Sequence, residues 1–335
     1  MNGQVLVSVK DLTVEYGRGV SRFTAVSGVS FEIRQGETLG LVGESGCGKS
    51  TTGRTLLQLQ AAAGGSVRFR EMELTKLSFR EMLPLRPALQ IVFQDPISSL
   101  NPRRRIGDIV AEPLVIAGIA DRRERERRVR EALTAVGIDA DAAMERRPHQ
   151  FSGGQCQRIC IARALVNEPE FLVCDEPVSS LDVSVQAQIL NLLEDMKDRY
   201  RLTMLFVSHD LAVVKNISDR VAVMYLGQIC EIAPSARLYE APAHPYTAAL
   251  LASIPEIDRT GNGGSKPKTL KGEIPSPQNP PGGCRFHTRC PIAREKCALE
   301  TPVFQDLKDG HSVACHFPLA VPASVRPAPA IAGQV

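Results

Sequence analysis

The chain has 335 residues, with 40 Lys and Arg against 37 Asp and Glu, a net charge of +3. This length allows about two domains, and a hydrophobic content of 43% supplies a sizeable core. The balanced charge gives no indication of a nucleic-acid partner, and no apolar run approaches the roughly 18–20 residues that span a bilayer. No signal peptide is recognisable, so we expect a cytosolic chain that reaches a membrane only through a partner.

A glycine-rich loop follows a short apolar strand that is predicted over residues 37–43, and a helix is predicted from Lys49. The loop has the complete pattern of a phosphate-binding loop, whose backbone N–H groups point at the β- and γ-phosphates of a nucleoside triphosphate. Lys49 would reach those phosphates, and the Ser50 hydroxyl would hold Mg²⁺. The predicted nucleotide-binding residues here are Gly43, Glu44, Ser45, Gly46, Cys47, Gly48, Lys49, Ser50 and Thr51. The alternative is a glycine-rich turn without a ligand.

Two adjacent carboxylates end a second apolar segment, residues 170–176. Open α/β sheets bind ligands at the carboxyl ends of their strands. Asp175 is therefore expected beside the loop as a ligand of Mg²⁺, and Glu176 is expected to be the general base that polarises the attacking water. An isolated Asp-Glu pair would instead be interpreted as a solvated strand end.

A second helix N-terminus with free backbone donors is predicted before the apolar helix 159–166. It is formed by Ser152, Gly153, Gly154 and Gln155. One chain cannot easily direct two such sites at one γ-phosphate, whereas two chains facing head to tail can. Together these motifs resemble the nucleotide-binding subunit of ABC transporters, over nearly the whole chain. The resemblance implies an α/β P-loop NTPase fold: a RecA-like core, an antiparallel β lobe, a helical insertion at about 95–155 and a loop-rich, cysteine-containing C-terminal extension.

The same resemblance implies roles for four further residues. Gln94 matches the glutamine that touches Mg²⁺ and the lytic water, and Asp182 matches the aspartate of the D-loop. His209 matches the histidine that contacts the γ-phosphate, and Tyr16, in a segment expected to be a variable loop over 16–25, matches the aromatic residue that packs on adenine. Taken alone, a Gln or a His is more often a surface or core residue. Residues 152–155 match the signature motif of the family. Cys156 stands where a polar residue usually follows that motif, and we expect this difference to have little effect on contact with phosphate.

The densest charge run, residues 121–130, mixes both signs and predicts a solvated helix face with acid–base pairs three or four residues apart. After about residue 235, Pro and Gly become frequent. This tail, with residues 243–251, resembles the C-terminal extension of the oligopeptide/dipeptide/nickel branch of ABC importers, and residues 51–54 favour the second of its two ATPase subunits. We expect a nucleotide-binding domain at 1–250, the extension at 251–320 with a mobile segment at 260–268, and a disordered tail at 321–335.

The nine cysteines divide into two groups, and disulfides are not expected in a reducing cytosol. Five are predicted to be small apolar core residues: Cys47, Cys156, Cys160, Cys174 and Cys230. Four in the tail suit thiolate ligands of one centre: Cys284, Cys290, Cys297 and Cys315. Their spacing is looser than that of zinc ribbons. The branch resemblance implies a [4Fe–4S] cluster, with zinc and free thiols as alternatives, and nearby histidines could substitute as ligands: His287, His311 and His316.

The resemblance as a whole implies the ATP-hydrolysing subunit of a peptide importer at the cytoplasmic face of the plasma membrane. This chain and a paralogous ATPase subunit would sandwich ATP and Mg²⁺, with the loop of one facing residues 152–155 of the other. Two membrane permease subunits and an extracytoplasmic solute-binding protein would complete the assembly, the insertion receiving the permease's coupling helix. An importer of nickel, glutathione or another solute is an alternative within the branch. A soluble ABC ATPase of DNA repair or translation, or a nucleotide kinase, is an alternative outside it.

Overall fold

The computed structural model describes residues 3–17, 19–254 and 272–320. The predicted mobile segment 260–268 and the predicted disordered tail 321–335 lie outside the described residues. The strands are β1 (Val5–Tyr16), β2 (Phe23–Arg34), β3 (Thr38–Val42), β4 (Gly64–Phe69), β5 (Met72–Glu73), β6 (Leu89–Val92), β7 (Phe171–Asp175), β8 (Thr203–Ser208), β9 (Arg220–Tyr225), β10 (Gln228–Pro234), β11 (Gln305–Asp306) and β12 (Ser312–Val313).

The helices follow the same chain order. The α-helices are α1 (Lys49–Leu56), α2 (Phe79–Met82), α3 (Ile106–Ile116), α4 (Arg122–Ala135), α5 (Ala140–Ala143), α6 (Gly153–Leu165), α7 (Val183–Tyr200), α8 (Leu211–Ile217), α9 (Ser235–Glu240), α10 (Pro245–Leu251) and α11 (Glu295–Leu299). Short 3₁₀ helices cover Gly19–Ser21, Leu74–Lys76, Leu83–Ala88 and Pro148–Gln150.

The larger sheet has the strand order β11-β12-β10-β9-β3-β8-β7-β6 within the described ranges. Strands β6, β7, β8, β3 and β9 run parallel, and β10, β12 and β11 continue the sheet in antiparallel fashion. Every residue of β3, β7 and β8 is buried. Continuous apolar strands of this kind are typical of a parallel sheet that is covered on both faces. The predicted α/β class is confirmed.

A smaller antiparallel sheet, in the order β2-β1-β4-β5, forms the predicted N-terminal lobe. Strands β1 and β2 pair along their whole length, up to the end of β1, where Tyr16 lies opposite Phe23 in β2. The connection between them is therefore shorter than the variable loop predicted over residues 16–25. The sequence indicates a loop here because Gly17 and Gly19 interrupt the apolar pattern, but Val14 and Val26 pair across the strands with 0% exposure and extend the hairpin.

Helices α3, α4 and α5 lie within the helical insertion predicted at about 95–155, between β6 and β7, and α6 begins at its end and continues to Leu165. The charged helix α4 buries Val129, Ala132 and Leu133 and leaves its arginines and glutamates in solvent. The ion pairs within α4 are spaced three or four residues apart, as predicted: Arg127 with Glu124 and Glu131, Arg128 with Glu124, and Arg130 with Glu126. Exposed pairs of this kind contribute little each to stability.

The C-terminal segment 272–320 joins the core sheet rather than standing apart from it, because β12 pairs with β10. Glu231 of β10 is fully buried, and its contact with His311 is a second link between the sheet and the C-terminal segment. Its carboxylate accepts hydrogen bonds from the backbone N–H groups of Ala243 and His244 at 2.7 and 2.9 Å, and His311 Nε2 lies 2.7 Å from it. Burial lowers the pKa of His244 to about 4, so this ring is neutral at pH 7.

Candidate functional site

The loop at residues 43–48 connects the buried strand β3 to helix α1. Glycine is required at two of its positions for different reasons. A Cβ on Gly43 would lie 2.1 Å from the carbonyl oxygen of Met224, and Gly48 has a φ of 106°, in the left-handed region. Gly48 is also the N-cap of α1, with no side-chain hydrogen bond at the cap. The loop therefore leaves the first backbone donors of α1 available to an anion.

Lys49 points back over the loop from the first turn of α1. Its ammonium donates to the carbonyl oxygens of Gly43 and Glu44, at 2.8 and 3.1 Å, and the residue is 4% exposed. A buried cation needs partners, and these carbonyls supply them. The predicted contact of Lys49 with the β- and γ-phosphates stays a prediction.

Asp175 ends strand β7 beside the loop and is 1% exposed. The Ser50 hydroxyl donates to its Oδ1 at 2.6 Å. The guanidinium of Arg54, one turn further along α1, donates to its Oδ2 at 3.1 Å. The hydroxyl and the carboxylate predicted to hold Mg²⁺ are therefore in direct contact. Both offer oxygen, which is the ligand that Mg²⁺ prefers.

Glu176 has the most constrained geometry at this sheet edge. Its φ of 49° lies in the left-handed region, which is costly for a non-glycine residue, and its backbone N–H donates to Val207 O at 3.0 Å. Its Oε2 accepts a hydrogen bond from Gln94 Nε2 at 3.1 Å and lies 3.1 Å from His209 Nδ1. Gln94 follows β6, Glu176 follows β7 and His209 follows β8, so three neighbouring parallel strands deliver these side chains to one point.

These residues surround an open cavity of about 520 Å³, within the usual range for small-molecule sites. Predicted site residues line it as follows: Tyr16, Ser45, Gly46, Gly48, Lys49, Ser50, Thr51, Gln94, Glu176 and His209. At one end the Tyr16 and Phe23 rings stack, with centroids 5.8 Å apart, and the Tyr16 hydroxyl lies 3.3 Å from Thr51 Oγ1. The phosphate loop and an aromatic platform thus share one cavity.

The segment 152–155 lies at the other predicted helix N-terminus and does not belong to the lining of that cavity in the described part of the chain. Ser152 caps α6 by accepting from Gln155 N at 3.3 Å, and Ser152 N donates to Gln155 Oε1 at 3.0 Å. Gly153 and Gly154 are the first residues of the helix. Asp182 caps the neighbouring helix α7, accepting from Val185 N at 3.0 Å, and hydrogen bonds from Ser184 and Val185 lower its pKa.

Three contributors to the site were missed in the sequence analysis. Arg54 carried a usable signal, since it lies one helical turn after Ser50 and so on the same face of α1. Phe23 could be recognised only once the hairpin was known to bring it opposite Tyr16. Arg289, which pairs with Glu44 of the loop, carried no signal because it lies far along the chain.

The nine cysteines are all free thiols. The five predicted core cysteines are buried, and burial raises the pKa of Cys47 to about 11 and that of Cys174 to about 12. Cys156 points inward, its Sγ 3.6 Å from Pro148 O, so its identity does not alter the exposed N-terminus of α6.

The four tail cysteines line one small, apolar cavity together with residues such as Pro245 and Ile292. Burial raises the pKa of the Cys284, Cys290 and Cys315 thiols, and backbone N–H groups facing each sulfur oppose that rise. Within residues 3–17, 19–254 and 272–320, no group of three or more His, Cys, Asp or Glu side chains is placed to hold a metal ion.

Comparison with known proteins assigns the family. A family model described as ABC transporter matches residues 26–179, and one described as the C-terminal region of oligopeptide/dipeptide transporters matches residues 230–297. The oligopeptide transport ATP-binding protein AppF of Bacillus subtilis is 49% identical over 303 residues, covering 90% of this chain and 92% of AppF. The chain belongs to the ABC transporter family.

Further relatives of this ABC protein support the same family assignment. The di/tripeptide transport ATP-binding protein DppF of Pseudomonas aeruginosa is 45% identical over 320 residues, covering 93% of this chain and 98% of DppF. A solved ABC cassette, a dimer in a post-hydrolysis state bound to ADP and Pi, has a TM-score of 0.63 at 28% identity, covering 68% of this chain and 98% of that chain. An ABC transporter subunit from Clostridium perfringens has a TM-score of 0.64 at 28% identity, covering 71% and 91%.

As a member of this family, the ABC protein is an ATP-binding ATPase, and the predicted ABC cassette fold and membership of the oligopeptide/dipeptide branch are confirmed. In the described part of this ABC chain, no helix is both long and apolar enough to cross a membrane.

Proposed function

We propose that this chain is the ATP-hydrolysing subunit of an importer of di- or oligopeptides. The observation that carries this proposal is the likeness to AppF and DppF, whose names state peptide transport, over nine-tenths or more of each chain. The match of residues 230–297 to the oligopeptide/dipeptide C-terminal region supports the same branch. No solute-binding surface is needed on this subunit, because its contribution is to supply free energy from ATP.

Binding of ATP would begin with the phosphate-binding loop. Lys49 would exchange its contacts with the Gly43 and Glu44 carbonyls for the β- and γ-phosphates, and the N–H groups at the start of α1 would complete the anion site. Tyr16 would pack against the adenine ring. Ser50 and Asp175, already in contact, would hold Mg²⁺ with the help of Gln94; the ion would neutralise the phosphate oxygens.

Hydrolysis would depend on Glu176. Its carboxylate would accept the proton of the attacking water as general base. Gln94 and His209 both contact Glu176 Oε2 at 3.1 Å, so they would fix its orientation. Gln94 would orient the attacking water, and His209 would contact the γ-phosphate.

A second ATPase subunit would complete the site. Segment 152–155 lies at an exposed helix N-terminus away from the cavity of its own chain, so a partner chain would have to present its equivalent to the γ-phosphate, with Asp182 near the contact. The relative described as a dimer with ADP and Pi supports this arrangement. We propose a heterodimer with a paralogous ATPase, docked through the insertion 95–155 onto two permeases at the cytoplasmic face of the plasma membrane, with an extracytoplasmic binding protein delivering the peptide.

The tail thiols are proposed to hold a [4Fe–4S] cluster. In such a cluster each of four cysteines binds a different iron, so the sulfurs need not converge on a single ion. Zinc requires four ligands within roughly 2.0–2.3 Å of one point, and the described residues offer no such group. The proposal rests on Cys284, Cys290, Cys297 and Cys315 lining one apolar cavity, and on backbone N–H groups that face three of the sulfurs, those of Cys284, Cys290 and Cys315. It would supply a rigid crosslink within the extension.

The transport function is tested by purifying the tagged full-length chain from detergent-solubilised membranes of its native host. We expect a second ATPase and two integral membrane proteins to accompany it, and uptake of a labelled dipeptide to be lost in cells carrying Lys49→Ala. Uptake of labelled nickel or glutathione in place of the dipeptide would show that the proposed solute is wrong. Recovery of the chain with soluble nucleic-acid-binding proteins alone would refute the proposal that it belongs to an importer.

The cluster is tested on protein purified without oxygen, by iron and sulfide analysis and a visible absorption spectrum. Wild type and the matched control Cys160→Ala, which changes a buried cysteine of helix α6, should contain iron, and Cys284→Ser should lose it. Stoichiometric zinc without iron in the wild type would rule the cluster out.

A further inference from the structure

The C-terminal segment contacts the phosphate-binding loop through Arg289. Its guanidinium pairs with both oxygens of the Glu44 carboxylate, Nη1 with Oε2 at 2.7 Å and Nη2 with Oε1 at 3.0 Å. The two residues are 245 positions apart in the chain, and the Arg289 side chain is only 4% exposed. A two-point contact of this kind is strong and strongly directional. One residue of the loop is thus held by a side chain that enters from the far end of the protein.

The backbone of Glu44 is held by the same part of the molecule. Its N–H donates to the hydroxyl of Tyr246 at 3.0 Å. The Tyr246 ring packs between those of Tyr225 and Phe286, with centroids 4.7 and 5.2 Å away. Arg289 Nη1 also donates to the Tyr225 hydroxyl at 3.4 Å. Glu44 therefore has little freedom to move, because both its side chain and its amide have partners outside the loop.

Electrostatics give this contact a functional consequence. Glu44 is a carboxylate in a loop that must accept a polyanion, and it is only 21% exposed, so water screens it poorly. Without a cation beside it, the carboxylate would repel the phosphates of ATP. Arg289 supplies the compensating charge, and its planar fork occupies both carboxylate oxygens, which the single ammonium of Lys does not match.

We propose that Arg289 is a positioning residue for ATP binding, which neutralises and anchors Glu44 so that the affinity of the loop depends on the C-terminal segment. The inference rests on the proposed function in one respect, that the loop binds ATP. It assigns the segment a direct part in nucleotide affinity, separate from anything held by its cysteines.

The test is isothermal titration calorimetry of the full-length chain with MgATP. Arg289→Met should bind ATP roughly 10-fold more weakly, because it leaves a poorly solvated, unpaired carboxylate in the loop that accepts the phosphates. Arg289→Lys should lie between Arg289→Met and the wild type. The matched control is Lys296→Met, which removes another cation of the same segment; its ammonium lies 3.6 Å from Glu300 in solvent, and its loss should leave the affinity unchanged.

A second substitution separates positioning from misfolding. Glu44→Gln removes the charge that Arg289 compensates, so the double variant Arg289→Met with Glu44→Gln should recover most of the lost affinity. A double variant as weak as Arg289→Met alone, or an Arg289→Met variant with wild-type affinity, would overturn the inference. A wild-type chain that does not bind ATP would refute the proposed function instead.

Discussion

Replacing Glu176 by Gln tests the proposed chemistry most directly. The substitution keeps the size of the side chain and a hydrogen-bonding oxygen but removes the ability to take a proton from water. A positioned general base contributes about 10²–10⁴-fold in rate, which corresponds to roughly 3–5 kcal/mol of transition-state stabilisation. We therefore expect Glu176→Gln to lose that factor in ATP turnover.

ATP binding should survive this change, because Lys49 and the loop amides do not depend on the Glu176 charge. Removing a carboxylate that is 12% exposed and lines the nucleotide cavity relieves repulsion, so affinity should stay the same or increase. Phosphate release measures turnover, and calorimetry with MgATP measures binding on the same preparation.

The matched control is Glu170→Gln. Glu170 immediately precedes β7, whereas Glu176 follows it, and its carboxylate pairs with Arg70 at the protein surface, 3.0 Å from Arg70 Nε. This variant should keep wild-type turnover. If Glu176→Gln hydrolyses ATP within about threefold of the wild-type rate, the proposed base is wrong, since so small an effect is below that of any positioned proton acceptor.

Three further substitutions test other contacts. Lys49→Ala should weaken ATP binding by at least about 10-fold, because it removes the buried cation of the loop; calorimetry showing unchanged affinity would exclude Lys49 from the site. Ser50→Ala removes the donor to Asp175 and should raise the Mg²⁺ concentration needed for half-maximal turnover, and a Mg²⁺ titration that does not shift would contradict the assigned role. Glu231→Leu leaves two buried amides and His311 without their acceptor and should lower the free energy of unfolding by about 3–5 kcal/mol; an unaltered melting temperature would show that this network adds nothing to stability.

Much of the nucleotide cavity could be predicted from the sequence, because its parts are local motifs attached to apolar strands. The phosphate loop, Asp175 with Glu176, and His209 each follow a buried strand, and parallel strands present such residues at one edge. The roles of Gln94 and His209 came from the family resemblance, and the structure brings both side chains to the same edge. The hairpin next to the cavity was less predictable, because strand pairing across Tyr16 and Phe23 is decided by tertiary contacts and not by the local glycine-rich sequence.

The contacts between the C-terminal segment and the rest of the protein could not be predicted. Arg289 meets Glu44, and His311 meets Glu231, across long stretches whose path depends on the whole fold. Nothing in the spacing of these residues distinguishes them from surface charges, which are the commonest environment of Arg and Glu. The number of tail cysteines suggested that they lie close together, and the structure places all four around one cavity. Their position beside Phe286 and Pro245 could not be inferred from the sequence.

The pairing of β12 with β10 means that the ATPase core is not finished until late in protein synthesis. While the ribosome still holds the last part of the chain, β10 has an open edge with unpaired amides, which can recruit other strands, and Glu231 lacks its histidine. Arg289 also emerges late, so a nascent chain carries an unopposed Glu44 in its phosphate loop. Shortened versions that stop near residue 250 would lack β12, Arg289 and His311, so both defects would remain in them.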